Sequence, residues 1–184
     1  MSVVKLNTLT SVVEEKTGVL VSHCYQCGKC SAGCPVATEM DYSPSLILRM
    51  LQTNNSLLSE KVLRSYSIWL CLSCETCFCR CPMDIEIPLV MDYLRQESVA
   101  RKMVNPKARK IVAAHKAFLS SIQHTGRLYE VGMLAEFKIK TLDFSDISLA
   151  PFMFMKGKLH LLPKRVKDLK SIRKIFSKTK NLKP

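Results

Sequence analysis

Two stretches decide how this chain folds: Cys24-Tyr25-Gln26-Cys27-Gly28-Lys29-Cys30-Ser31-Ala32-Gly33-Cys34-Pro35 and Cys71-Leu72-Ser73-Cys74-Glu75-Thr76-Cys77-Phe78-Cys79-Arg80-Cys81-Pro82. Both spell C-x2-C-x2-C-x3-C-P, the second at an offset of 47 residues from the first. The N-terminal MSVVKLNTLTSVVEEK carries no long apolar stretch of a secretory signal, and no later run reaches the ~18 apolar residues of a membrane span. A soluble cytoplasmic protein is therefore expected. In that compartment thiols stay unpaired, so clustered cysteines point to metal sites rather than disulfides. The odd total of nine cysteines leans the same way.

The spacing is that of the bacterial ferredoxin run. Three thiolates on a short irregular loop reach three corners of one iron–sulfur cubane; the fourth lies past a bend, is followed by Pro, and serves the other cluster. The expected ligands are Cys24, Cys27, Cys30 and Cys81 for a first [4Fe-4S] cluster, and Cys71, Cys74, Cys77 and Cys34 for a second. This exchange ties the two loops together about a pseudo-twofold axis. Gly28 and Gly33 are expected in the tight turns that bring backbone N–H groups to the sulfurs. Two C-x2-C pairs also suit a zinc ribbon, but zinc needs only two cysteines from each run, not four followed by Pro. Cys79, two residues before Cys81, competes for the fourth position; the Pro rule favours Cys81 and leaves Cys79 a small side chain without a ligand role. Trp69 and Phe78 are expected to shield a cluster from water. His23, next to a ligand, is expected at the surface or just behind that ligand, and His115, His124 and His160 receive no role.

Outward from the runs, the pattern is helical. Residues 1–17 predict a short helix capped by Thr8 or Thr10, with Leu9, Val12 and Val13 facing the core. Ser43-Pro44 reads as a cap followed by Pro at the first helical position, opening SLILRMLQ, which Asn54-Asn55 ends. Ser59 is expected to cap one further helix through EKVLRSYSIWL into Cys71. The 36 residues between Cys34 and Cys71 thus predict two helices instead of the strands of a small free ferredoxin. Ile87-Pro88 opens a helix burying Leu89, Tyr93 and Leu94, and Asn105-Pro106 opens another. That helix carries an apolar stripe of Ile111, Val112, Ala114, Phe118, Leu119 and Ile122, and stops near Gly126. The fold class is mainly α: a helical two-cluster domain over 1–102 and a basic helical extension over 103–184.

Charge divides the chain at the same place. Residues 1–102 hold ten Lys/Arg against ten Asp/Glu, residues 103–184 eighteen against five, so the whole net +13 lies in the extension while all nine cysteines lie before it. Two clusters, each with its four thiolates carrying about two negative charges, would make the first part acidic. The basic charges read either as solvated lysines or, mixed as they are with Phe137, Ile139, Leu142, Phe144, Phe152, Met153, Phe154 and Met155, as a surface for docking to a partner subunit, part of it ordering only there. A basic helix is expected over 164–180. No G-x-G-x-x-G, P-loop, G-x-S-x-G or H-E-x-x-H occurs, so no flavin, nicotinamide, nucleotide or hydrolytic site is visible. A zinc nucleic-acid binder would explain the charge but not the cysteines.

CYQCGKCSAGCP, WLCLSCETCFCRCP and the following DIEIPLVMDYLRQ, with a helical spacer between the runs, resemble the C subunit of the heterodisulfide reductase of methanogenic archaea over roughly residues 20–125. The resemblance implies an iron–sulfur relay between a flavin-containing A subunit and a B subunit that reduces the coenzyme M–coenzyme B heterodisulfide. A hydrogenase or formate dehydrogenase would supply electron pairs that the flavin can bifurcate. Catalysis would lie outside this chain. The iron–sulfur subunit of a succinate dehydrogenase or fumarate reductase has a similar helical part, but follows a [2Fe-2S] domain that 23 cysteine-free residues cannot hold. An iron–sulfur component of a glycolate oxidase-like oxidoreductase is the other alternative.

Overall fold

Segments punctuated by Thr, Asn and Pro become helices in the computed structural model, which describes residues 8–143, 150–157, 162–163 and 166–180. No strand occurs among the described residues, and the fold is mainly α. The helices form two compact units, one ending at Ala108 and the other starting at Arg109.

The first unit contains α1 (Leu9–Thr17), a 3-10 turn (Val21–His23), α2 (Lys29–Ala32), α3 (Pro44–Gln52), α4 (Ser56–Leu63), α5 (Ser67–Leu70), α6 (Thr76–Cys79) and α7 (Ile87–Ala100). Thr8 caps α1, its hydroxyl oxygen accepting the Ser11 amide at 3.2 Å, and Gly18 ends it at φ 73°. Thr10, the other expected cap, is instead buried inside the helix and donates to the Leu51 carbonyl at 2.5 Å, tying α1 to α3. Pro44 opens α3 as its fixed φ allows, but Ser43 makes no capping bond; its hydroxyl lies 3.4 Å from that of Ser45.

The single helix expected from Ser59 is two. Asn55 caps α4 by accepting from Leu57 N at 2.9 Å and Leu58 N at 3.3 Å, which leaves Ser59 buried within the helix. The chain breaks at Arg64–Tyr66 because distant side chains satisfy the backbone there. Ser98 donates to the Leu63 carbonyl at 2.8 Å and Asn105 to the Arg64 carbonyl at 2.7 Å. Asp41 receives the amides of Tyr66 and Ser67, each at 2.8 Å.

In α7 Ile87, Val90, Met91 and Leu94 share one face by the i, i+3, i+4, i+7 rule and are each 2% exposed or less. Tyr93 is buried as expected, whereas Leu89 points off that face and is 39% exposed. With Val13, Val21, Ile47, Leu48, Leu51, Val62, Leu63 and Ile68 these residues form the core on which α1, α4, α5 and α6 pack. Each such side chain contributes about 1.5–3 kcal/mol by leaving water.

The second unit contains α8 (Arg109–Thr125), α9 (Glu130–Thr141), α10 (Ala150–Met155) and α11 (Leu169–Lys180), with α9 and α11 packing on α8. The buried line of α8 is Ala117, Ser121 and Thr125, not the expected stripe: Phe118 and Leu119 are exposed. Small side chains let the next segment come close, and their hydroxyls bond within it, Ser121 accepting the Tyr129 amide at 2.8 Å. Gly126 ends α8 at φ 81°, where a Cβ would lie 2.8 Å from Val166. Ile139, Leu142, Phe152, Met153 and Met155 are exposed. Phe144 and the Phe154 side chain, expected to dock with them, lie outside the described residues, as does the start of the helix expected over 1–17.

Candidate metal centres

The two cysteine runs repeat in backbone as well as in sequence. Gln26 and Ser73, 47 residues apart, have φ of 63° and 49°; Gly28 and Glu75, again 47 apart, have φ of 76° and 59°. These left-handed residues reverse the chain between successive cysteines and start α2 and α6, which pack on one another. Gly28 meets its conformational need directly, while Glu75 holds the same shape with a side chain attached. Gly33 is not in such a conformation; the Arg80 side chain lies across it and takes the space a Cβ would need.

Cys34 leaves its own run to join the other. It lines one cavity with Cys71, Cys74 and Cys77, enclosing about 380 Å³ with the open mouth included. Pro35, Val36, Met40, Pro44, Ile87 and Met91 make the wall apolar. Burial, and then the neighbouring Cys71 charge, pushes the Cys77 thiol up to about 11. The Thr76 hydroxyl, 3.5 Å from Cys74 Sγ, lowers the pKa of that exposed thiol.

Around Tyr25 lie Cys24, Cys27 and Cys81, while Cys30 feels both Cys24 and, across the two runs, Cys77. Tyr25 has its pKa raised by desolvation, by its hydrogen bond with Cys27, and by negative charge on Cys27, Cys81 and Cys24. Cys30, the only buried cysteine among the described residues, is raised by burial and, more weakly, by Cys24. Gln26 Nε2 donates to Cys24 Sγ at 3.3 Å and the Ile85 amide to Cys81 Sγ at 3.4 Å. Cys79 is exposed and is not among the residues lining the cavity. Trp69 is buried, Phe78 half-buried, and His23 at the surface. Among the described residues no three His, Cys, Asp or Glu side chains converge on a point suited to a single metal ion.

Three residues outside the runs hold these loops, and the sequence reading missed them. Asp41 accepts from Tyr42 N at 3.1 Å, from the Tyr66 and Ser67 amides and from the Ser67 hydroxyl, joining the stretch after the first run to the helix that delivers Cys71. Burial alone would raise its pKa; the Ser67 hydroxyl and the three amides outweigh that and lower it. Gln52 Nε2 donates to the carbonyls of Val21 at 3.0 Å and Cys24 at 2.7 Å. Arg95 does likewise for Ile68, at 2.5 Å, and for Cys71. A polar residue about two turns after the opening Pro of each helix was the available signal.

Eight thiols, four of them around one apolar cavity and two of the others accepting N–H donors, are a donor set suited to soft iron–sulfur groups. Residues 20–85, which hold all nine cysteines, match the family described as a 4Fe-4S dicluster domain. Residues 20–85 are thus similar to a dicluster iron–sulfur domain, set here on a helical frame.

Among curated proteins the chain is 36% identical over 102 residues to the iron–sulfur C subunit of the CoB–CoM heterodisulfide reductase of Methanopyrus kandleri, covering 55% of this chain and 51% of that one. Over 107 residues it is 33% identical to the C2 subunit of the H(2)/formate:CoB–CoM heterodisulfide,ferredoxin reductase of Methanococcus maripaludis, covering 58% and 55%. Over 165 residues it is 29% identical to the second iron–sulfur C subunit of the CoB–CoM heterodisulfide reductase of Methanocaldococcus jannaschii, covering 81% and 86%. The chain spans about half the length of the first two relatives. Its similarity is thus to C subunits of methanogen heterodisulfide reductases. No helix among the described residues is long and apolar enough to cross a membrane.

Proposed function

We propose that this chain is a non-catalytic electron-relay subunit holding two [4Fe-4S] clusters, one on Cys24, Cys27, Cys30 and Cys81, the other on Cys71, Cys74, Cys77 and Cys34. The observation that carries the reading is the meeting of Cys34 with Cys71, Cys74 and Cys77 around one apolar cavity. Four thiols spread over such a wall suit a polynuclear group better than one zinc ion. Bound there, the clusters supply one-electron transfer, since four protein thiolates leave no iron position open to substrate. The protein's own part is to hold the thiolates, keep water out through Met40, Ile87 and Met91, and aim Gln26 and the Ile85 amide at sulfur.

The names of the relatives extend the reading to a complex. The chain would pass electrons from a flavin-containing A subunit to a B subunit that reduces the coenzyme M–coenzyme B heterodisulfide, in a cytoplasmic assembly fed by a hydrogenase or formate dehydrogenase. The exposed Ile139, Leu142, Phe152 and Met155 of the basic second unit are the surface for docking. Anaerobic purification tests both parts. Iron and sulfide near eight each per chain, with A and B subunits co-purifying, support them; one or two zinc ions per chain and no iron reject the relay.

A further inference from the structure

The two metal centres are held from behind by the same device built with different charge. Val21 and Ile68 lie 47 residues apart, as do Cys24 and Cys71, so the carbonyl pair gripped by Gln52 and the pair gripped by Arg95 are equivalent positions of the repeat. Gln52 lies on α3 and Arg95 on α7, each helix with Pro in its first turn and each following its own cysteine run. At the first centre the grip is a neutral amide. At the second it is a guanidinium whose side chain is only 17% exposed.

We infer, on the functional reading above, that Arg95 both fixes the Cys71 loop and raises the reduction potential of the centre built on Cys71, Cys74, Cys77 and Cys34, making two otherwise repeated centres electrically unequal. Adding an electron makes a centre one unit more negative, so a fixed positive charge nearby favours the reduced form. The guanidinium spends Nε and Nη2 on the Ile68 and Cys71 carbonyls, which keeps its charge at the root of a ligand loop. Asp92 offsets part of that charge, 2.8 Å from Nη1, but its side chain is 47% exposed and therefore better screened. Lys29 and Glu75, at the starts of α2 and α6, act in the opposite sense; both are exposed and weakened by solvent. The first centre receives hydrogen-bond dipoles, from Gln26 to Cys24 and from the Ile85 amide to Cys81, and its neighbouring cations Lys29 and Arg80 are both exposed.

The test is an anaerobic, EPR-monitored redox titration of the full iron-loaded chain, as wild type and as R95Q, R95K, D92N and Q52R. A Cys74→Ser variant, whose signal changes at the second centre, assigns the two midpoints. R95Q, which places at 95 the amide that serves the first centre, is expected to lower the second midpoint and leave the first in place. R95K keeps it near wild type, D92N raises it, and Q52R raises the first midpoint. The proposal is overturned if R95Q retains its iron and moves neither midpoint, or both equally. It is overturned as well if R95K falls as far as R95Q, which would make the role positional only. Should R95Q lose iron, D92N reads the same charge from its other side, and an unmoved second midpoint there refutes the inference. A wild-type chain without iron sinks the functional reading and this inference together; a chain with its full iron whose midpoints ignore Arg95 sinks this inference alone.

Discussion

Cys34→Ala is the substitution whose consequences separate crossed from run-by-run ligation. Cys34 shares its cavity with Cys71, Cys74 and Cys77, so its loss takes one of four ligands from the second centre and none from the first. Iron is expected to fall from about eight to about four per chain, or to about seven if a three-iron cluster survives. Pairing the change with others makes the assignment independent of spectra. Two changes at one centre should cost at most that centre's own cluster, whereas changes at different centres should add. C34A/C74A is thus expected to keep about four irons, and C34A/C27A to lose nearly all. The assay is colorimetric iron and acid-labile sulfide on anaerobically purified protein, with the dithionite-reduced EPR spectrum alongside. If C34A/C27A keeps half the iron while C34A/C74A loses it all, each run holds its own cluster and the crossed assignment is wrong.

Asp41→Ala removes the acceptor that caps α5 and should cost about 2 kcal/mol, near the upper end for a lost cap, seen as a lowered melting temperature and faster exchange of the Tyr66 and Ser67 amides. Because the Asp41 pKa is lowered by folding, its stabilisation is full above the ordinary carboxylate value of 3.8 and is lost as pH falls through the folded value; an acid-melting curve unchanged in Asp41→Asn would contradict this. In metal-free protein at pH 8, iodoacetamide should reach the exposed Cys74 well before Cys77, with the Cys77 rate climbing as pH approaches about 11, as mass spectrometry of timed samples can show. The raised Cys77 value also means the metal-free fold is most stable below the ordinary thiol value of 9.0 and weakens from there towards about 11, which pH-dependent denaturation would register. Removing residues 127–184 should leave iron content intact but weaken co-purification with the A and B subunits; undiminished co-purification would argue against docking through the basic unit.

What the sequence exposed most readily was written in local signals. The cysteine spacing, Pro44 and Pro88 in first helical turns, Gly126 as a stop and the absence of strand alternation between the runs each act within a few residues. What it hid depends on distant partners. α4 and α5 separate because Asp41, Ser98 and Asn105 complete backbone bonds from 25 to 41 residues away, and no window centred on Ser59 contains them. Leu89 is as apolar as Leu94, and only the face that Ile87 and Val90 share tells which is buried. Gly33 resembles Gly28 in sequence, yet one gives room to Arg80 and the other adopts φ of 76°. Gln52 and Arg95 look like ordinary polar positions of helices until their carbonyl partners are seen.

The cavity shared by Cys34 and the second run also sets a timetable for the newborn chain. Cys34 leaves the ribosome 43 residues ahead of Cys77, and nothing in the first half of the domain can close the pocket it belongs to. Until then it stands as a bare thiol beside partly formed helices. On the proposed ligation, iron delivery to that pocket would have to wait for translation to pass the second run, making cofactor loading a late event in the life of the polypeptide and placing a premium on protecting its early cysteines from oxygen.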